Sequence, residues 1–372
     1  MRNLYVLVKP ASGSCNLRCR YCFYADEMRQ RETASYGKMS RETAEALISK
    51  SLNQADGHIT FAFQGGEPTL AGLEFYRWFT RRVQELRRPG QSIHYAIQTN
   101  GTLLDEEWGR FLQEHRVLVG LSLDGPRKSH DYNRRQADGS GSWNKVMQAA
   151  ALLRRYRVEF NILTVVTQGS VSRIGRIYAF FRENHLLYQQ YIPCIDPLEQ
   201  SASDSLTPQG YGQFLKALFD LWYEDISAGR FIYIRSFENM VGMIRGQRPE
   251  SCDMGGVCSV QYVFEADGSV YPCDFYALDA WRLGNIRTDS FEELDKKRES
   301  LGFIQASMQH PEECRACTWY TLCRNGCRRD RTNGQNRYCE GIREFYAYAY
   351  PRLCRLAGKE ITSQPGRWHN IH

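Results

Sequence analysis

Three cysteines stand at the spacing C-x3-C-x2-C in Cys15-Asn-Leu-Arg-Cys19-Arg-Tyr-Cys22, just after a short apolar run. Three thiolates on one loop can hold three irons of a [4Fe–4S] cube and leave the fourth iron open to a ligand. Zinc or three buried thiols are the alternatives, but zinc would want a fourth protein ligand, and no histidine or further cysteine stands nearby. Eight more cysteines lie further on: Cys252, Cys258 and Cys273, then Cys314-x2-Cys317-x5-Cys323-x3-Cys327, then Cys339. Eight thiolates suffice for two fully ligated cubes, although a C-x2-C pair also fits a zinc ribbon. Cys194 and Cys354 stand apart and read as buried thiols. Thirteen cysteines in 372 residues are too dilute for a disulfide scaffold, so their clustering points to metal or redox chemistry.

Other polar residues with chemical potential recur at the ends of apolar runs. They are Gln64-Gly65-Gly66-Glu67-Pro68, Gln98-Thr99-Asn100-Gly101, Ser122-Leu123-Asp124-Gly125 and Cys194-Ile195, with Arg134 in a following loop. Gly65 and Gly66 would let backbone approach a ligand, and Glu67 would add local charge. Ser122 and Asp124 also suit simple turn chemistry. Asp274 directly follows Cys273 and is therefore held beside a candidate metal ligand; a turn or capping role is its plainer alternative. Tyr24, Gln64 and Gln98 are candidate substrate contacts, with polar rim packing as the alternative.

The elements that must position these residues repeat a strand-then-helix rhythm. Strands are expected at Tyr5–Lys9, Ile59–Phe63, Ile93–Gln98, Val117–Leu123, Val158–Val166 and Leu187–Cys194, short and apolar as buried parallel strands are. Helices are expected from Ser40 as N-cap and at Leu73–Leu86, Glu106–Glu114, Trp143–Tyr156 and Val171–Glu183. Thr43 stands where a full capping box would have Glu or Gln. This α/β pattern predicts a partial (β/α)6 TIM-type barrel, with a doubly wound sheet as the alternative. Barrel active sites gather at the C-terminal ends of strands, where all the polar segments fall. After Cys194 the rhythm gives way to a linker at residues 204–208 and an amphipathic helix at Phe214–Ser227. A hairpin follows, Gln261–Phe264 with Ser269–Pro272 around Glu265-Ala266-Asp267-Gly268, and the chain ends with an aromatic helix around Ile342–Leu356. Thr362–His372 is a polar tail. The domains expected are 1–205 for the barrel, 206–250 for a helical connection and 251–372 for the cysteine-rich part.

Hydrophobic residues make up 42% and charged residues 24%, which excludes disorder and fibre. The net charge of +6 comes without a basic run, so nucleic acid is not expected as a partner. Eleven thiolates around three cubes of core charge about +2 would bring it to about +1. No stretch approaches the ~20 apolar residues of a membrane span, and the start has no signal-type apolar core. The expected compartment is the cytoplasm.

The Cys15–Cys22 motif, together with Gly-Gly-Glu one strand later, resembles the radical S-adenosylmethionine enzymes. In that superfamily the open iron binds the cofactor, and one electron cleaves it to methionine and a 5′-deoxyadenosyl radical. The resemblance implies cofactor contacts from Tyr21, Gly65, Gly66, Glu67, Ser122, Arg134 and Ile195. The later cysteines resemble the SPASM extension, which carries two auxiliary [4Fe–4S] clusters. Its interleaved pattern implies Cys252, Cys258, Cys273 and Cys327 for one, and Cys314, Cys317, Cys323 and Cys339 for the other. Tyr21-Cys22-Phe23-Tyr24, Phe61 through Leu70, Tyr271 through Tyr276 and Trp281 through Asn285 are similar to the anaerobic sulfatase-maturating enzymes, and the likeness runs nearly end to end. Those enzymes oxidise a Cys or Ser in a Cys/Ser-x-Pro-x-Arg segment of a sulfatase to Cα-formylglycine. The resemblance makes Asp274 the catalytic base and a flavodoxin or ferredoxin the electron donor. A peptide thioether crosslink is the rival reaction on the same architecture, and a zinc-ribbon binding module on an inactive barrel is the rival class. Arg328-Arg329-Asp330 after Cys327 departs from the family pattern and has no role in this reading.

Overall fold

The computed structural model describes residues 3–198 and 205–359. The start of the expected linker and the polar tail at 362–372 lie outside those residues. The described chain forms two compact units. One comprises Met1–Leu123, Arg127–Ile162 and Val260–Gly302; the other comprises Asp124–Pro126, Leu163–Ser259 and Phe303–His372.

The six expected strands form as β1 (Leu4–Val8), β2 (His58–Phe63), β3 (Ser92–Thr99), β4 (Leu118–Ser122), β5 (Phe160–Val166) and β6 (Tyr188–Pro193). In the first unit β1 pairs with β2, β2 with β3 and β3 with β4, all parallel and in chain order. Successive strands are added on one side with no reversal, which is barrel winding; a doubly wound sheet would reverse at a switch point. Val6, Val8, Ile59 and Phe61 are fully buried, as strands covered on both faces require.

Local signals account for several helices. Ser40 Oγ accepts from Thr43 N at 3.1 Å and starts the helix Arg41–Gln54. Leu73–Leu86 and Glu106–Glu114 match their expected bounds, the latter capped by Asp105. The helix expected over Val171–Glu183 is two helices, Gln168–Val171 and Ile174–Glu183. Thr167 and Ser170 close a reciprocal cap on the first turn, and their side-chain bonds compete with onward helix hydrogen bonding. The second unit also holds the helices Pro208–Ser227 and Cys339–Ala357, which contain the expected amphipathic and aromatic segments. The helix Arg235–Ile244 was not expected.

The hairpin is the element that most shapes the site. Its strands Tyr262–Phe264 and Ser269–Tyr271 pair antiparallel, and Tyr262–Phe264 adds to the free edge of β1 in parallel register, Val6 opposite Tyr262. A segment far along the chain thereby extends the first sheet and delivers Asp274 beside the loop that follows β1.

Candidate active site

The cysteine loop is built by backbone contacts with the two strand ends beside it. Gly65, at φ +118°, and Gly66 lie against residues 12–14, and a Cβ on Gly66 would come within 2.1 Å of Ser14 O. Gly66 N donates to Ser12 O at 2.9 Å and Glu67 N to Ser14 O at 2.7 Å. The two glycines are therefore needed first for this close approach. Glu67 is 1% exposed, and its carboxylate is engaged inward. Oε1 accepts from Thr69 N, Thr69 Oγ1 and Thr99 Oγ1, and Oε2 from Asn100 N, at 2.6–3.0 Å. Burial pushes this carboxyl above its ordinary range against those four donors. The residue expected to lend charge to a ligand is a strut joining the ends of β2 and β3.

Asn100 was read only as part of a strand end, yet it ties that strand to the cysteine loop. Its Nδ2 lies 2.9 Å from Asn16 Oδ1 and 3.9 Å from Cys15 Sγ. Leu17 N also donates to Cys15 Sγ, at 3.3 Å. Cys19 belongs to a short ribbon, Leu17–Cys19 against Arg134–Gln136, in which Arg134 stands directly opposite Cys19. Arg134 is buried, with its guanidinium 5.3 Å from the Tyr21 ring centre. Ser142 Oγ donates to Arg134 O at 2.7 Å and shares a 2.9 Å bond with the buried His130. Cys22 directly precedes the helix Phe23–Arg29. Ser122 is buried at the end of β4. In the second unit Ile195 follows β6, where Cys194 O accepts from Arg337 and from Tyr338 Oη.

The loop can hold an iron–sulfur cube. All the cysteines are free thiols, and Cys15, Cys19 and Cys22 are partly accessible. The N–H groups aimed at Cys15 Sγ are those a thiolate accepts. Burial nonetheless holds the Cys15 thiol up at about 11, so ligation must expel its proton. In the second unit Cys314, Cys317, Cys323 and Cys339 line one cavity of about 210 Å³. These are the four grouped by the family pattern. Cys252 interacts electrostatically with Cys258 and with Cys327, and Cys327 Sγ accepts from Arg329 N. Cys273 belongs to the first unit.

Asp274 is buried at the centre of a charged cluster. Tyr24 Oη donates to its Oδ2 at 2.5 Å and Gln64 Nε2 donates to the same oxygen at 2.8 Å. Gln64 Nε2 also donates to Tyr24 Oη at 2.7 Å. Oδ1 has no hydrogen-bond donor among the described residues and faces Lys9 Nζ at 3.8 Å. The Phe23 and Phe275 rings meet edge to face beside it. Tyr24 and Gln64 thus converge on Asp274; Gln98 makes no side-chain hydrogen bond among the described residues.

Four members of this cluster went unread in the sequence. Lys9 Nζ lies 3.2 Å from Glu265 and 3.7 Å from Glu27, and Arg31 bonds Glu265 at 2.7 Å and faces Glu27 at 3.6 Å. All four are 7% exposed or less. A lysine directly after an apolar strand and a glutamate directly after its partner strand were the available signal. Burial raises the Asp274 carboxyl, with Lys9 opposing. Burial also raises Glu27, to about 7, with Lys9 opposing and Asp274 reinforcing. For Glu265 burial works upward too, but Lys9 and Arg31 prevail and hold it below its ordinary value.

Residues 10–178 match the radical SAM superfamily, and residues 252–318 match an iron–sulfur cluster-binding domain called SPASM. A cysteine-type anaerobic sulfatase-maturating enzyme of Clostridium perfringens is 46% identical, covering 96% of this chain and 99% of its own. A serine-type enzyme of Bacteroides thetaiotaomicron is 31% identical over 97% of this chain and 92% of its own. A solved structure, native anSMEcpe with bound AdoMet and Kp18Cys peptide, superposes with a TM-score of 0.91 at 44% identity, covering 96% of this chain and 99% of that one.

Proposed function

Because this chain belongs to the anaerobic sulfatase-maturating enzymes, a radical S-adenosylmethionine family, we propose that it oxidises a sulfatase cysteine, within Cys-x-Pro-x-Arg, to Cα-formylglycine. The greater likeness to cysteine-type than to serine-type relatives supports cysteine as the target. Cys15, Cys19 and Cys22 would hold the first cube. Cys252, Cys258, Cys273 and Cys327 would hold the second, and Cys314, Cys317, Cys323 and Cys339 the third. Arg134 would pair with the cofactor carboxylate, with Tyr21, Gly65, Gly66, Ser122 and Ile195 lining the rest of its site and Glu67 holding the Gly-Gly loop. A flavodoxin or ferredoxin in the cytoplasm would supply the electron. When bound, the cofactor and clusters supply removal of a β-hydrogen and acceptance of a second electron.

The chain's own part is the proton. One observation carries the reading: two donors fix Asp274 Oδ2 while Oδ1 is left without a donor. The Asp274 carboxylate therefore keeps acceptor capacity to spare, and it would take the target thiol proton. Burial makes this carboxylate a stronger base than an exposed one, and the nearby Lys9 charge keeps it from being neutralised by burial alone. Tyr24 stays protonated, its hydroxyl driven well above its usual range by burial and by Asp274, so it remains a donor.

The test is Asp274→Asn with a Cys-x-Pro-x-Arg peptide under anaerobic conditions. Cleavage of S-adenosylmethionine to 5′-deoxyadenosine persists, while formylglycine falls by about 10²-fold or more. Equal aldehyde yield from the variant would remove Asp274 from the role.

A further inference from the structure

Arg331 lies between the last two cysteines of the second unit's cysteine-rich stretch, in the short ribbon Arg331–Thr332 against Gln335–Asn336. Its guanidinium is half-buried and grips four backbone carbonyls. Nε donates to Asn325 O at 3.1 Å, Nη1 to Ser307 O at 2.7 Å, and Nη2 to Gly256 O at 2.6 Å and Gly326 O at 3.0 Å. These carbonyls belong to the segments that carry the cysteines. Asn325 and Gly326 lead into Cys327, Gly256 precedes Cys258 by two residues, and Ser307 Oγ accepts from Cys258 N at 2.9 Å. The two loops meet closely, for a Cβ on Gly256 would lie 2.0 Å from Arg324 O.

Among the described residues, no carboxylate is a partner of Arg331. The nearest ring is His310, whose Nε2 faces Gly256 O and Ser307 O and whose Nδ1 faces Tyr320 Oη at 2.6 Å. Arg331 Nη2 also lies 3.3 Å from His310 Nε2, and burial together with the Arg331 charge lowers the imidazole pKa, so it stays neutral. Asn325, whose carbonyl Arg331 grips, also lines the cavity shared by Cys314, Cys317, Cys323 and Cys339, so the arginine stands beside both auxiliary sets. A half-buried cation with only neutral carbonyls for partners is costly unless a negative charge stands nearby. Four thiolates on a cube of core charge about +2 supply a net charge of about −2, and one more on reduction.

We infer that Arg331 is an electrostatic positioning residue for both auxiliary clusters, its fixed charge raising their reduction potentials and making them better electron acceptors. The inference rests on the reading that these eight cysteines hold two clusters. A positive charge favours the more negative, reduced form of each cluster, so its removal lowers both potentials.

The experiment is an anaerobic redox titration of the reconstituted holoenzyme, followed by electron paramagnetic resonance. Iron and sulfide content and S-adenosylmethionine cleavage are measured alongside. Arg331→Met retains iron and cleaves the cofactor, but its auxiliary couples shift down by about 59 mV or more, a tenfold change in a one-electron equilibrium. Arg331→Lys keeps the charge without the four-carbonyl grip and titrates near the wild type. Unchanged potentials in an iron-replete Arg331→Met protein overturn the inference. So does equal loss of auxiliary iron from both variants, which would make the residue a strut alone. Should only Arg331→Met lose iron, the Lys variant decides: a wild-type potential supports the inference and a lowered one overturns it. Wild-type protein that binds no auxiliary iron would sink the cluster reading itself, a different failure.

Discussion

In the first unit, Lys9 and Arg31 are buried among three carboxylates, Glu27, Glu265 and Asp274. In the second, Arg331 is held by four carbonyls and no carboxylate. Each arrangement suits a different particle. Three anions over two cations leave one carboxylate in excess, so a proton has somewhere to rest. A cation fixed by neutral dipoles has no proton to exchange, and its charge stays constant while electrons come and go. The contrast also separates sources of stability. Apart from its Cys15 loop, the first unit is held by sheet pairing and ion pairs that exist without metal, whereas the cysteine-rich part of the second gathers thiols that burial keeps protonated until a metal displaces the protons.

Removing iron should have the largest effect and tests that last point directly. Chelated protein should lose amide hydrogen-exchange protection over residues 303–340 while β1 to β3 keep theirs. Uniform loss across both units would erase the contrast. Lys9→Met comes next. It leaves Glu265 and Asp274 without their central cation, at a cost of about 3–5 kcal/mol in denaturant unfolding. A cost below ~1 kcal/mol would mean the cluster is not held by its charges. Tyr24→Phe removes one of two donors to Asp274 Oδ2 and should lower the formylglycine rate roughly tenfold, a charge-assisted bond's share. Its 5′-deoxyadenosine yield should hold, so the ratio of the two products is the readout.

The smallest effect is on pH dependence. Glu27, raised to about 7 by burial, binds its proton more tightly folded than unfolded. Its contribution is therefore fully present below the ordinary value of 4.5 and is lost as pH rises toward 7. Glu265, held low, has the opposite sign: its contribution is present above 4.5 and is lost on acidification. Glu27→Gln leaves two anions for two cations and should raise the melting temperature at pH 8 while flattening its decline between pH 5 and 7. A steeper decline would show that Glu27 is not the excess carboxylate.

The residues differ in how far their signals reach. The six barrel strands were legible because buried parallel strands are short apolar runs, and the cysteines because ligand spacing is local. Glu67 was found by its motif but its role was not, since four donors to one carboxylate come from the ends of two strands. The break after Val171 was hidden because it depends on one pair of hydroxyl side chains. Lys9, Glu27, Arg31 and Glu265 were invisible for a different reason. Charged residues are read as solvated by default, and these are buried only because residues 234 and 250 positions apart are brought together.

The hairpin's place beside β1 has a consequence for the chain as it is made. Until residues 262–264 leave the ribosome, β1 has a bare edge, and Tyr24 has no Asp274 to bond. The nascent protein can form its cysteine loop but lacks the proposed base, and it exposes an unpaired strand edge of the kind that sticks to other chains. Protein truncated before residue 260 should accordingly sediment as aggregate, and a soluble, folded fragment would show that the edge is covered in some other way.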